Sequence, residues 1–289
     1  MVLVSAASFG SLSIFGKLAY ANGLGTEQTL AFRFLLGAIG MWVLAMLFGQ
    51  NPLRFKTREL VMLIVLGAVI YTGQSLTYFI ALRSLPASLV VLIAYIYPSL
   101  VVVAGWLFLR RSVSIWHGLA LAASFLGVGL LVGGAHFQVA WALAFAIASP
   151  AIYTGYILLG ERVMSSVPAI GASAVIMSGA AVAFCVLAAL RHELRTPATL
   201  AGWGVAFGVA LFPTMIAISL FLASLPRIGA ALAALLSTVE PVVTIALAAV
   251  ILGERLSAVQ FVGGALILLA VIVVQAAHLW KPGPPAAFR

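Results

Sequence analysis

Residues 221–275 read FLASLPRIGAALAALLSTVEPVVTIALAAVILGERLSAVQFVGGALILLAVIVVQ, which predicts two apolar helices joined by a charged hinge at residues 253–257. The first of these helices carries Ser237, Thr238, Glu240 and Pro241 near its middle. An ionised Glu at the centre of a bilayer costs about 2.5–3.5 kcal/mol or more, and proline removes a backbone donor. Lipid could not satisfy these groups, so the pattern predicts a polar cavity inside the protein.

A weaker copy of this stretch lies at residues 79–133. When Pro98 is aligned with Pro241, the small-residue helix, the central proline, the charged hinge and the Gly-rich helix recur in the same order. The offset is close to half the chain, which indicates a duplicated half. We therefore predict two repeats, residues 1–137 and residues 138–289.

The composition is that of an integral membrane protein. The chain is 64% hydrophobic and 7% charged, with a mean hydropathy of +1.23, whereas a soluble domain carries about 25% charged residues. The net charge of +9 is thus read as a topology signal and not as a nucleic-acid signal. The chain has one cysteine, Cys185, no Asp and no Cys/His cluster, so we expect no metal site, no cofactor and no catalytic residues.

Ten segments are long enough to span a bilayer, which takes about 20 apolar residues. They are residues 2–20, 29–48, 60–82, 87–109, 116–132, 139–159, 169–190, 200–224, 228–252 and 258–279. The connections are too short to hold a domain, so any function must lie between the helices.

Charge predicts the orientation. With ten spans both termini lie on one side, and that side receives nine of the 15 Lys and Arg residues while the other receives six. This bias favours cytoplasmic termini. Five spans per repeat would insert the two halves in opposite senses, giving an all-α fold of two inverted five-helix repeats around a central cavity.

Polar residues form stripes on the third, fourth, sixth, eighth and ninth spans. Many of these residues are tyrosines that lie too far from a span end to be anchors in the headgroup layer, and a tyrosine offers a flat apolar face and a hydroxyl group. We predict that the substrate-binding residues are Tyr71, Gln74, Tyr78, Tyr95, Tyr97, Tyr153, Tyr156, Thr214, Ser237 and Glu240.

The charged residues leave alternatives open. Glu240 either exchanges a proton or binds a substrate amine, or it is a structural carboxyl bonded to backbone that Pro241 leaves unpaired. We expect Lys17 and Arg33 to extend their charged ends to the aqueous surface. Arg33 is the candidate exception, because it lies between Phe32 and Phe34 within a span.

Several motifs carry a family resemblance. The segment AFRFLLG at residues 31–37, Glu240-Pro241-Val242 and LGERL at residues 252–256 resemble motifs of the drug/metabolite transporter superfamily, in its EamA-type ten-helix branch. Phe9-Gly10 followed by Lys17 is similar to the pattern of that branch's first helix. The first half departs from the pattern, with Tyr97-Pro98 in place of Glu-Pro and Arg110-Arg111 in place of Gly-Glu.

The resemblance implies a secondary transporter of the bacterial cytoplasmic membrane that exports amino acids, other metabolites or drugs. The tyrosine-rich centre looks most like the YddG-type exporters of aromatic and other amino acids. The alternative is a proton-coupled antiporter of cationic drugs that uses Glu240. A small-molecule substrate and the lipid bilayer are the expected partners; the oligomeric state is open, and a monomer is compatible with the sequence.

Overall fold

A computed structural model of the protein describes residues 1–110, 115–132, 140–164 and 166–280. Within this part, ten helices are long and apolar enough to cross a membrane, and we number them α1 to α10 in chain order. They are Val2–Ala21, Thr26–Leu47, Thr57–Ser84, Ala87–Phe108, Ile115–Val132, Ala140–Val163, Ala169–Leu190, Leu200–Leu225, Leu232–Ile251 and Ala258–Ala276. A short 3-10 turn, Pro52–Arg54, connects α2 to α3.

The ten predicted spans are confirmed, with ends that agree to within a few residues. The largest local difference is the connection from α8 to α9, where helical backbone continues past the predicted loop and turns at Gly229, whose φ is 76°. The predicted repeat boundary at residues 137 and 138 and the hinge residue Arg111 lie outside the described residues.

The helices pack in pairs that relate one half of the chain to the other. α2 lies along α7, α5 lies along α10, and α3 packs against α6 while α1 packs against α8. Suppose that α1–α5 correspond in order to α6–α10. The α2–α7 pair and the α5–α10 pair then each correspond to themselves, and the α3–α6 pair corresponds to the α1–α8 pair. This pairing fits two related five-helix halves.

Three helices are interrupted near their middles. α1 breaks at Ser11, between Val2–Gly10 and Leu12–Ala21. α4 breaks between Ala87–Ala94 and Tyr97–Leu109, and α9 breaks at Thr238, just before Val239–Ile251. The breaks in α4 and α9 directly precede Pro98 and Pro241, since each proline tolerates only the first turn of a new helical segment.

Wider π-helical turns occur in α3 at Leu66–Tyr71 and in α8 at Leu211–Ile216. In both, a threonine hydroxyl donates to the carbonyl five residues earlier, Thr72 to Gly67 at 2.9 Å and Thr214 to Val209 at 3.0 Å. In α8 the carbonyl of Val209 is the one that Pro213 leaves without its N–H donor. Thr214 therefore satisfies a backbone group that lipid could not.

Close backbone contact holds the turn in α3 against α7. A side chain at Gly67 would overlap the carbonyl of Ile176, so only glycine fits at this crossing. The tyrosine that ends this π-helical turn, Tyr71, is consequently fixed relative to α7. Small residues at helix crossings are the usual device for such contacts in membranes.

Candidate functional site

The breaks in α4 and α9 meet at the centre of the protein. The hydroxyl of Tyr95, on α4, lies 2.9 Å from the backbone carbonyl of Ser237 and 2.9 Å from Oε2 of Glu240. The Ser237 carbonyl would normally accept from the residue four positions later, which is Pro241 and has no N–H. Tyr95 thus supplies the donor that the proline removes, and it links the two interrupted helices.

Five tyrosine rings contact one another in a row that begins at Tyr95. Tyr95 contacts Tyr97 edge-on at 6.1 Å between centroids, and Tyr97 contacts Tyr153 edge-on at 4.9 Å. Tyr153 stacks on Tyr156 at 5.6 Å, and Tyr156 stacks on Tyr71 at 5.1 Å. These five tyrosines, which we call the tyrosine row, come from α4, α6 and α3.

Three tyrosines of the row have hydroxyls without a partner among the described residues. The side chains of Tyr97, Tyr153 and Tyr156 are half-buried and remain partly accessible. Their hydroxyls form no hydrogen bond with any residue that the structure describes. Three phenolic groups are therefore free to donate to, or accept from, a small molecule beside the row.

Two further predicted residues flank the row. Gln74 donates from Nε2 to the hydroxyl of Ser149 at 3.1 Å, which ties α3 to α6. Tyr78 shares a hydrogen bond of 2.6 Å with Ser13, beside the break in α1. The structure thus brings α1, α3, α4, α6 and α9 to one place, and four of these helices, α3, α4, α6 and α9, carry the predicted polar stripes.

The hydroxyls of Thr214 and Ser237 have structural partners. Ser237 donates to the carbonyl of Ala233 in its own helix at 2.9 Å, so only its backbone carbonyl reaches Tyr95. Thr214 donates to Val209, and its oxygen accepts from Nε of Arg33 at 3.0 Å. Whether either residue contacts a substrate stays a prediction.

Arg33 is the exception that the sequence indicated, while Tyr71 and Thr214 as its neighbours were not predicted. Its side chain is 2% exposed and does not reach the aqueous surface. The guanidinium is held by Thr214 and lies 4.9 Å from the ring centroid of Phe34, and the ring of Phe34 contacts Tyr71 edge-on at 5.4 Å. Arg33 therefore stands next to the Tyr71 end of the tyrosine row, opposite the Glu240 end. The flanking Phe32 and Phe34 were the available signal.

We use the term distal face for the end of the molecule that contains residues 21–25, 83–86, 191–199 and 253–257. There the carboxylate of Glu254 caps the start of α4, accepting from the N–H groups of Ala87 at 2.7 Å and Ser88 at 3.0 Å and from the Ser88 hydroxyl at 2.6 Å. A carboxylate at a helix N-terminus is favoured by the exposed N–H groups and the helix dipole. This contact joins the α9–α10 connection to α4.

A second acidic group lies elsewhere on the distal face. Arg191 forms an ion pair of 2.8 Å with Glu27, at the start of α2, and Glu193 is close to the same Glu27 carboxyl. The Oε2 atom of Glu193 is buried and has no hydrogen-bond partner among the residues that the structure describes. Burial, and then the Glu27 carboxyl, raise the pKa of Glu193 above its usual range, while Arg191 opposes this effect.

Comparison with known proteins identifies the family. The model of the EamA-like transporter family matches residues 1–133 and, a second time, residues 140–275. The chain belongs to the EamA-like transporter family. Membership confirms the resemblance to the drug/metabolite transporter superfamily, and it makes this chain a multi-pass membrane transporter.

Two individual proteins are similar over most of this EamA-like chain. The Uncharacterized transporter YcbK of Bacillus subtilis (strain 168) is 28% identical over 272 residues, which is 91% of this chain and 87% of that protein. A solved structure described only as the crystal structure of a protein superposes with a TM-score of 0.67 over 96% of both chains, at 20% identity. The second likeness concerns the fold alone.

Proposed function

We propose that this EamA-like transporter exports amino acids, with aromatic ones included, or similar small metabolites across the bacterial cytoplasmic membrane. The observation that carries the proposal is the meeting of two interrupted helices beside the tyrosine row. Discontinuous helices that meet near the membrane midplane are the usual substrate site of secondary transporters. A row of rings with free hydroxyls suits a molecule that is part apolar and part polar.

The same geometry suggests how access could alternate. Tyr95 is the hydrogen-bonded link between the α4 and α9 breaks, and Glu254 is the link between the two helices at the distal face. Movement of one half against the other would have to break the distal link while the tyrosine row keeps the substrate. We therefore propose rocking of two inverted five-helix halves, residues 1–137 and 138–289, around this site.

The proposed orientation places both termini in the cytoplasm. The support is the excess of Lys and Arg on the side of the termini, nine against six. In this orientation the distal face is external, and the Glu254 contact ties α4 to the α9–α10 connection on that side.

The decisive experiment is transport by purified protein in proteoliposomes. Vesicles preloaded with phenylalanine should accumulate labelled phenylalanine by counterflow, and Tyr153→Ala should raise the KM about tenfold because it removes two ring contacts from the row. Tyr20→Ala is the matched control, because Tyr20 bonds the carbonyl of Phe79 outside the row. Absence of counterflow with phenylalanine and with a panel of other amino acids would contradict the proposal.

A proton-coupled antiporter of cationic drugs is the second candidate, and one observation favours it. The Tyr95 hydroxyl has one hydrogen, yet it lies at 2.9 Å from two acceptors, the Ser237 carbonyl and Glu240. Both bonds form together when Glu240 carries a proton, because the carboxyl then donates to Tyr95 while Tyr95 donates to Ser237. Loss of that proton on substrate binding would loosen the link between α4 and α9.

A pH gradient separates the two candidates. If Glu240 exchanges a proton in each cycle, wild-type efflux should follow an imposed pH gradient, and Glu240→Gln should keep exchange but lose this dependence. Glu59→Gln is the control, because Glu59 lies in the first turn of α3, where its carboxylate accepts from the N–H of Lys56. Efflux that ignores the pH gradient in wild type would count against the antiporter.

A further inference from the structure

Arg33 is a buried charge that no carboxylate of the described residues pairs with. It lies seven residues after the start of α2, about 10 Å along the helix axis, and its side chain is 2% exposed. A charged side chain inside a membrane protein faces the protein interior or a water-filled space and is paired there in almost every case. All six acidic residues of the chain lie in the described part, and none of them supplies that pair.

The neutral partners of Arg33 fix its direction and leave most of its donors unused. Nε donates to Thr214, whose own hydrogen is committed to the carbonyl of Val209. Thr214 can thus only accept, which holds the guanidinium in one orientation. A guanidinium has five N–H donors in a planar fork. Its partners Thr214 and Tyr71 are neutral, so the fork has no charged acceptor among the described residues.

The position of the fork relates it to the tyrosine row. Arg33 lies near the hydroxyl of Tyr71, the last ring of the row, and Tyr78 is within electrostatic range of both Arg33 and Glu240. The tyrosine row therefore has a positive group beside Tyr71, a carboxyl group beside Tyr95, and aromatic rings between them.

We propose that Arg33 is the carboxylate-binding group of the transport site, so that the substrates carry a carboxylate beside an apolar or aromatic body. The inference rests on the proposed function and narrows it. A carboxylate accepts two parallel hydrogen bonds from a guanidinium. It also supplies the negative charge that none of the described carboxylates places beside Arg33. A cation that has no carboxylate would leave Arg33 unpaired and would bring a second positive charge into a space of low dielectric.

Three compounds of similar shape separate the carboxylate from the amine. Phenylalanine has both groups, phenethylamine lacks the carboxylate, and 3-phenylpropionate lacks the amine. In proteoliposome counterflow with labelled phenylalanine, wild type should be inhibited by 3-phenylpropionate at concentrations at least about tenfold lower than by phenethylamine, because a hydrogen bond to a charged group is lost with the carboxylate.

Variants test whether Arg33 is the source of this preference. Arg33→Gln should abolish the preference for 3-phenylpropionate over phenethylamine, and Arg33→Lys should restore part of it, since a lysine keeps the charge but not the planar fork. Arg83→Gln, at an exposed position on the distal face, is the matched control and should keep the wild-type ratio. The ratio of two inhibitors does not depend on how much of a variant is folded.

The wild-type measurements alone distinguish failure of the carboxylate assignment from failure of the proposed function. Wild type that prefers phenethylamine, or that treats both analogues equally, overturns the carboxylate assignment while leaving transport by this site intact. An unchanged ratio in Arg33→Gln also overturns it. If none of the three compounds is exchanged or competes, and the amino-acid panel is also inactive, the proposed function itself is wrong. If Arg33→Gln does not insert, the wild-type ranking and Arg33→Lys decide the question.

Discussion

Replacing Tyr95 by Phe tests whether the link between α4 and α9 holds the centre together. The substitution keeps the ring, and with it the edge-on contact with Tyr97, but it removes the hydroxyl. The carbonyl of Ser237 then loses the donor that stands in for the missing N–H of Pro241, and Glu240 loses its bond at 2.9 Å. The change therefore isolates two hydrogen bonds without opening a cavity.

The expected magnitude follows from the two bonds lost. Hydrogen bonds between helices of membrane proteins average about 0.6 kcal/mol and reach about 1.7 kcal/mol. Two of them should lower the free energy of unfolding by about 1 to 3 kcal/mol. The upper part of this range applies if the Ser237 carbonyl finds no other donor, because an unpaired buried acceptor costs more than an average bond contributes.

Two tyrosines of the same chain serve as controls in the same unfolding assay, an SDS titration or a thermal melt in detergent. Tyr97→Phe removes a hydroxyl that bonds no described residue, so its stability should stay within about 0.5 kcal/mol of wild type. Tyr20→Phe removes bonds to Thr26 and to the Phe79 carbonyl, and it should be destabilised while its transport kinetics stay near wild type. If Tyr95→Phe is as stable as Tyr97→Phe, the central link has been misread.

Three further predictions concern the distal face. The raised pKa of Glu193 means that the folded state favours its protonated form. The stabilisation that Glu193 gives to the 191–199 loop should therefore be complete at pH values below the usual pKa range of Glu, and it should be lost as the pH rises through the raised pKa. Hydrogen exchange of the loop, corrected for intrinsic rates, should therefore speed up with pH in wild type and much less in Glu193→Gln. In Glu254→Ala the amides of residues 87 and 88 should lose protection relative to wild type; unchanged protection would show that the cap is dispensable. With cytoplasmic termini, a cysteine placed at Thr196 in a Cys185→Ser background should be labelled by an impermeant reagent from outside, and labelling from the cytoplasmic side alone would reverse the orientation.

The sequence predicted the fold because the bilayer constrains it so strongly. Spans of about 20 apolar residues must form helices in lipid, so hydrophobic runs locate all ten helices. The break in α9 was also readable, because Pro241 cannot continue the helix before it. The π-helical turns were not readable, since each depends on a threonine reaching a carbonyl five residues back and on close packing such as that of Gly67 against α7.

The candidate site was predicted in part. Helical spacing placed Tyr71, Gln74 and Tyr78 on one face of α3, and the structure brings that face to the tyrosines of α4 and α6. Spacing within one helix cannot show which residues meet across helices, so the bond from Tyr95 to Ser237 was invisible in the sequence. Arg33 was indicated as a buried exception by its flanking phenylalanines, but its place beside the tyrosine row was not predicted, because its partner Thr214 is 181 positions away.

The two halves differ at the connections that follow α4 and α9, and this difference bears on direction. With Pro98 aligned on Pro241, Arg110 matches Gly253, and both adopt a left-handed backbone, with φ of 52° and 68°. The next position is Glu254 in the second half and Arg111 in the first, where the residue lies outside the described part of the chain. A carboxylate can cap a helix N-terminus and an arginine cannot, so the Glu254 cap on α4 has no counterpart in the sequence of the first half. Such a contact changes how long the carrier stays closed on one side, because it stabilises one conformation over the other.

The Glu254 contact does not change the final concentration ratio of the substrate. That ratio depends on the substrate gradient and on any ion exchanged in the same cycle. If the proposed export runs against a gradient, it has to draw on an ion exchanged at a group inside the site, and Glu240, whose Oε2 lies 2.9 Å from the Tyr95 hydroxyl, is the carboxyl beside the tyrosine row.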